Sequence, residues 1–317
     1  MLSIKTSQAS KLRTLFEISD PVLSEGPLVF SNEGMRFCGS NYVVLADCRI
    51  FACSPDITYK YTFEENKVSL GVNFKDVNDA LSCVTPNDIV EIRATKDGIS
   101  SARPYFTVSV MSPNNYSFTT RITLLLLETE TKEAPVTNFE SMVSMSSNSF
   151  LKVLRFLQRK GDYVQLYTRK CKESSESSDM AKYGIYLNIR TDDDCGHSVF
   201  SERVGDASDD CKECLKLERY NIKCLHLLAK GTNLSGIVEI FLQKNQYLAI
   251  KYRIGTIGSV IYCISPSIDD AEDAPNFKNV INEKGKAIIE RKIKRPVKKA
   301  RKRRVQIIPH SEIPKLV

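Results

Sequence analysis

Lys152, Arg155 and Arg159 recur at i, i+3 and i+7 in the stretch Ser149–Asp162, S-F-L-K-V-L-R-F-L-Q-R-K-G-D. That spacing sets three cations on one face of a helix. Phe150, Val153, Leu154 and Leu157 recur at i, i+3, i+4 and i+7 on the other side, the stripe of a helix with one buried face. Such a helix offers its cations to a polyanion, and the chemistry on offer is contact with phosphates rather than bond making. A merely solvated basic face is the plain alternative.

Motifs for bond making do not occur. The sequence contains no G-x-x-x-x-G-K-[ST], G-x-S-x-G or H-x-E…C-x-x-C pattern, so no site for nucleotide hydrolysis, acyl transfer or zinc deamination is visible. The three histidines, His197, His226 and His310, form no HExxH set. Cys195-Gly196-His197 followed by Cys211-x-x-Cys214 holds ligand types that suit zinc. It lacks the paired CxxC of a strong site, and no metal is assigned to it. The chain is read as no enzyme and as needing no cofactor. Ten cysteines without a secretory leader point to a reducing compartment. No apolar run approaches the roughly 18 residues of a membrane span, so no membrane partner is expected.

Charge is unevenly spread. Of 45 Lys+Arg and 38 Asp+Glu, residues 268–317 hold 14 and 7, which leaves 31 and 31 for residues 1–267. The body is neutral, and the net charge of +7 resides in the tail. Lys284–Arg304 carries 12 Lys/Arg and ends in K-R-P-V-K-K-A-R-K-R-R. A run this polar is expected to be disordered alone. Lys294, Arg295, Lys298, Lys299, Arg301, Lys302, Arg303 and Arg304 suit a nuclear import signal, a DNA tether or a solubilising arm.

The basic helix belongs to a longer pattern. Helices are predicted over about Gln8–Ile18, Lys75–Cys83, Ser149–Gln158 and Ile222–Lys230, each among short strands. Gly71-Val72-Asn73-Phe74 is expected to open the second of these helices, and a strand is expected over about Phe118–Leu127. The edge strands are expected around Phe118–Thr123 and Tyr183–Ile189. Each half has several strands and two helices, so the pattern of elements reads as a duplication although the residues show no clear repeat. The boundaries follow: residues 1–127 as one domain, 128–138 as a polar connecting loop with one proline, 139–267 as a second domain, and 268–317 as the basic tail. Ser-rich Lys172–Lys182 and Asp-rich Thr191–Lys212 read as mobile surface loops.

Several short pieces, in order, resemble the sliding clamps of the proliferating cell nuclear antigen (PCNA) family. They are Leu70-Gly71-Val72-Asn73-Phe74, Asn87-Asp88-Ile89 with Arg93-Ala94, Gly161-Asp162, Lys230-Gly231-Thr232-Asn233-Leu234-Ser235, Tyr252-Arg253-Ile254 and Ser265-Pro266. The resemblance spans about Met1 to Pro266. It implies an α+β fold of two similar clamp domains, closing as a homotrimer into a ring with helices lining the hole. Ring closure would also pair edge strands that otherwise invite aggregation.

The resemblance further implies sites. Lys11 and Arg13 on the first helix, Lys75 on the second, Lys152, Arg155 and Arg159 on the third, and Lys223 and Lys230 on the fourth would face duplex DNA. The second helix departs from the family, with Asp79 and Ser82 where lysines are usual. A partner-peptide pocket would be built from Ser40, Leu45, Ala134, Pro135, Tyr247, Cys263, Ser265 and Pro266. Here Ser40 stands for a usual Met, Ala134 for Ile and Cys263 for Tyr. The implied function is that of a polymerase processivity factor in the nucleus or at a viral replication site. Its partners would be sequence-independent duplex DNA, DNA polymerase and other clamp-binding proteins, and a clamp loader. A checkpoint-type subunit of a heterotrimer, or a monomeric or dimeric factor held on DNA by its tail, are the alternatives. The departures suit a divergent lineage such as a large DNA virus or a protist.

Overall fold

The computed structural model describes residues 1–41, 43–114, 116–127, 141–172, 183–193, 196–204, 211–242 and 247–267. The first half runs β1 (Leu2–Thr6), α1 (Ala9–Ser19), β2 (Glu25–Ser31), β3 (Gly34–Ser40), β4 (Val44–Phe51), β5 (Ile57–Tyr61), β6 (Lys67–Asn73), α2 (Phe74–Leu81), β7 (Ile89–Ala94), α3 (Lys96–Ile99), β8 (Tyr105–Met111) and β9 (Ser117–Thr123). The second runs β10 (Ser141–Ser146), α4 (Ser147–Leu157), β11 (Tyr163–Lys172), β12 (Tyr183–Asp193), β13 (Gly196–Val204), β14 (Cys211–Asn221), α5 (Ile222–Ala229), a 3-10 turn (Lys230–Asn233), β15 (Ile237–Leu242), β16 (Leu248–Ile254) and β17 (Gly258–Ile264).

Three antiparallel sheets result, with orders β5-β1-β7-β8-β9, β10-β15-β16-β17-β4-β3-β2-β6 and β13-β12-β11-β14. The orders expose the duplication. The run β1-β7-β8-β9 in the first half matches β10-β15-β16-β17 in the second, and β4-β3-β2-β6 matches β13-β12-β11-β14. The α+β architecture expected from the sequence is therefore present. The halves are stitched into one sheet where β17 pairs with β4, from Gly258↔Ile50 to Ile264↔Val44. The strands equivalent to that pair, β9 and β13, are both sheet edges among the described residues.

Local residues explain the elements. The four longer helices turn their apolar stripes inward, and on α1 Ala9, Leu12, Leu15, Phe16 and Ile18 are buried. Phe16, Phe37 and Phe74 meet with ring centroids 5.1–5.9 Å apart. Such aromatic pairs add about 0.5–1.5 kcal/mol each beyond their buried area. Truncating any one to alanine costs about 3–5 kcal/mol. Asn73 and Asn221 cap α2 and α5, their Oδ1 atoms accepting from the N–H of Lys75 and Lys223 at 2.9 Å. A cap of this kind contributes about 1 kcal/mol.

The two short motifs acquire physical reasons. In Gly71-Val72-Asn73-Phe74, Gly71 ends a strand under a crossing chain: a Cβ there would lie 2.3 Å from the Leu125 carbonyl oxygen. Asn73 is the cap, and Phe74 enters the core. In Lys230-Gly231-Thr232-Asn233, the glycine admits the Tyr252 ring, which a Cβ would meet at 2.8 Å.

Four expectations are corrected. Gly71-Val72-Asn73 closes β6 rather than opening a helix. The strand expected to reach Leu127 stops at Thr123, with a single bridge from Leu125 to Gly71 beyond it. Thr191–Lys212, read as a surface loop, contains the end of β12, all of β13 and the start of β14. Tyr183–Ile189 is consequently not an edge, because β12 lies between β11 and β13. Residues 173–182, 128–140 and 268–317 lie outside the described residues, and the connecting loop, one polar insertion and the basic tail fall there.

Candidate nucleic-acid interface

Helices α1, α2, α4 and α5 pack in pairs, α1 on α2 and α4 on α5, and α1 also meets the 3-10 turn at the end of α5. Their outward faces carry the cations. Lys152 and Arg155 are exposed on α4, and Arg159 is exposed in the turn that follows it. Lys75, Lys223 and Lys230 are exposed on or at the ends of α2 and α5. The Lys223 ammonium lies 3.3 Å from the Asp162 carboxylate, with both side chains about 70% exposed (70% and 71%). Pairs so open to water contribute little, in the range of about 0–1 kcal/mol, and leave the cation free to exchange its partner.

The α1 cations are placed differently. Arg13 donates to the Val84 carbonyl at 3.0 Å and is half-buried. Lys11 is half-buried and lines an open recess with Thr232, Asn233, Ser235, Arg253 and Gly255. Gly255 holds a positive φ of 53°, and a Cβ there would meet the Lys11 side chain. Lys11 is thus directed toward the second half of the chain.

His226, to which the sequence assigned no role, marks where the cations of the second half converge. Burial, then the charges of Lys230 and Arg155, hold its imidazole below its ordinary pKa. Its Nε2 is buried with no hydrogen-bond partner among the described residues. Two helices therefore bring positive charge to one place, a field suited to phosphate. Phe156 stands exposed beside these cations, at 52% of its surface. It follows Lys152 by four positions, a spacing that an apolar-stripe search passes over because Phe156 falls off the stripe.

Of the pocket residues, Ser40, Leu45, Tyr247 and Cys263 are neighbours, and all but Ser40 are buried. Ser40, Leu45 and Cys263 form one row across β3, β4 and β17. Leu45, Tyr247 and Cys263 are 1%, 3% and 2% exposed and form a satellite core with Cys38 and Ala249. Among the described residues, Phe241 and Ile261 stand part-buried at its margin. Burial, and secondarily the Asp47 carboxylate, push the Cys263 thiol up to about 12, so it stays neutral. Asp47 is itself buried and held by Arg36 through two bonds of 3.0 Å. Ser265 and Pro266 follow β17, where the Ser265 N–H donates to the Val43 carbonyl at 2.8 Å. Ala134 and Pro135 lie outside the described residues, as does the import-signal cluster Lys294–Arg304. Cys195 lies there too, and the side chains of His197, Cys211 and Cys214 are not described. Among the described residues no cluster of three metal-ligating side chains occurs, and no helix is long and apolar enough to cross a membrane.

Comparison with known proteins adds a relative. The chain is 21% identical over 278 residues to "Probable DNA polymerase sliding clamp 1" of Paramecium bursaria Chlorella virus 1, an alignment covering 84% of this chain and 97% of that protein. No family model matches the chain. The viral relative bears out the resemblance to sliding clamps drawn from the sequence.

Proposed function

We propose that copies of this chain close head to tail into a ring around duplex DNA and serve as a sliding clamp that tethers a DNA polymerase. The observation that carries this reading is the pair of edges left by the duplication. Within the chain, β17 pairs with β4. Their equivalents, β9 and β13, are edges of two different sheets, each with one free side among the described residues. A second copy satisfies both edges by repeating a joint the chain already makes, and such a heterologous contact closes into a ring when its rotation permits. The ladders also give the register. Phe106↔Ile122 matches Leu248↔Ile264, and Phe37↔Cys48 matches Ile189↔Phe200. Since Val260 pairs with Cys48 inside the chain, Phe118 pairs with Phe200 of the next copy, and Thr120 with Ser198.

Three copies per ring rest on the resemblance to PCNA-family clamps. The ring holds DNA by topology, so weak phosphate contacts suffice and permit sliding. Arg155, Arg159, Lys223 and Lys230 supply those contacts with Lys75, and the polymerase gains residence time by effective concentration. Both complementary edges belong to one chain, which favours a homotrimer over a checkpoint-type heterotrimer. The margin of the Leu45–Tyr247 cluster is the docking place for partner peptides. The basic run Lys284–Arg304 serves nuclear import or added DNA contact.

Light scattering tests the assembly: the purified chain has about three times its 35.8 kDa mass. Thr120→Cys combined with Ser198→Cys then gives a disulfide between copies under mild oxidant. Loaded on a closed circular plasmid, the ring stays until the plasmid is linearised. A monomer at micromolar concentration, or equal retention on linear and circular DNA, would sink the proposal.

A further inference from the structure

Helices α1 and α4 are both eleven residues long. Laid start to start, they match Leu12 with Phe150, Leu15 with Val153 and Phe16 with Leu154, all buried. Their flanks are not treated alike. On α1, Lys11, Thr14 and Ile18 share one flank at i, i+3 and i+7. Thr14 is 6% exposed and Ile18 1%. The 3-10 turn Lys230–Asn233 and β16 of the second half pack on α1, and Lys11 borders that turn. The other flank of α1 is held by its own half, through Arg13 on the Val84 carbonyl.

The matching flank of α4 is Ser149, Lys152 and Phe156. Lys152 is exposed, and Phe156 is 52% exposed. Ile18, the counterpart of Phe156, is sealed where the second half packs on α1, so the duplication leaves Phe156 without the neighbour its counterpart has. The duplication identifies that neighbour. Matching the caps Asn73 and Asn221 aligns α2 with α5. The turn Ser82–Thr85 then takes the place of Lys230–Asn233, and Asp79 takes the place of Leu227. Leu227 is partly buried against the core, whereas Asp79 is exposed.

On the ring reading above, we infer that α4 of one copy docks on the end of α2 of the next, with Phe156 seated on the Ser82–Thr85 turn and Lys152 paired with Asp79. The joint inside the chain carries no charge at these places, with Thr14, Ile18 and Leu227. The joint between copies replaces them with an ion pair and an aromatic plug. The acidic face of α2, Asp76 and Asp79, thereby has a basic partner in the Lys152 and Arg155 face of α4. Lys152 works at the rim of the joint rather than on DNA alone, and salt loosens the ring as well as its hold on DNA.

Charge swapping tests this without DNA. Light scattering across a dilution series gives the concentration at which half of the assembly has dissociated. Lys152→Glu and Asp79→Lys each raise it by at least about tenfold, the cost of opposing like charges at a contact, and the double swap restores it to near wild type. Phe156→Asp raises it as much, and Phe156→Leu far less. All of these side chains are exposed on the single chain, so melting below the dissociation concentration reports that each variant is folded. A wild type that never assembles overturns the ring reading together with this inference. A wild type that assembles while the two charge reversals leave it unmoved overturns the inference alone.

Discussion

Neutralising Arg155 and Lys223 together tests phosphate binding with little change to the fold of the single chain. Both side chains are exposed, and the Lys223–Asp162 pair is about 70% exposed on each side (70% and 71%). Solvent-facing changes of this kind move stability by about 0.5 kcal/mol or less. Removing one cation from a phosphate lowers the slope of log K against log salt by about 0.9. The Arg155→Ala/Lys223→Ala double variant therefore has a slope smaller by about 1.8 for each subunit whose helices touch the duplex. Across a fourfold rise in salt, its affinity falls by about tenfold less than that of wild type. Fluorescence anisotropy of a duplex, titrated at several salt concentrations, measures both slopes. Lys96→Ala is the control, a cation on the short helix α3 that is paired with Glu64 at 3.0 Å. His226 provides a second readout, since relief of the Arg155 charge raises its pKa, measured by NMR. Slopes equal in wild type and double variant would refute the assignment of this helix layer to DNA, whatever the oligomeric state.

Two further outcomes follow from burial. His226 has a folded pKa below its ordinary value, so its neutral form is favoured by folding; its contribution is present above about pH 6.5 and is lost as pH falls through the lowered value, and thermal melts of His226→Gln show a weaker loss of stability between about pH 7 and 5. Leu45→Asp puts a carboxylate at a position 1% exposed, so it lowers the melting temperature and partner binding together, whereas Phe241→Ala, at the margin of the same cluster, weakens partner binding with the melt little changed.

The four predicted helices were legible because each carries a full apolar stripe, and every terminus falls within two residues of its expected bound. Strand β1 was not, since L-S-I-K-T is five residues with two apolar positions. Strand β13 was hidden by composition. It lies among aspartates and polar residues, and reading polarity as loop discarded the element that supplies a free edge. An edge strand is polar for the same reason a loop is, because much of it meets water in the lone chain. The cationic face of α4 was legible from spacing alone. The fate of Arg13 was not, because its carbonyl partner on Val84 is 71 positions away. Ser40, Leu45 and Cys263, grouped through the resemblance, do share a row. That Leu45 and Tyr247 are buried there is a matter of packing, which residue types do not record.

The β17·β4 joint has a mechanical consequence. Its strand pairing is extended by Phe51 donating to the Ile257 carbonyl and Ser265 to that of Val43. Beside it, Asp56 accepts from both Gln8 and Thr256, tying the start of α1 to the β16–β17 hairpin. The two partners of this joint are also carried on one polypeptide, so a broken seam re-forms at high effective concentration. A joint between separate copies has no such tether. In the ring proposed above, tethered and untethered seams alternate, so it opens at the untethered ones, and the polypeptide connection decides where a gate for DNA lies.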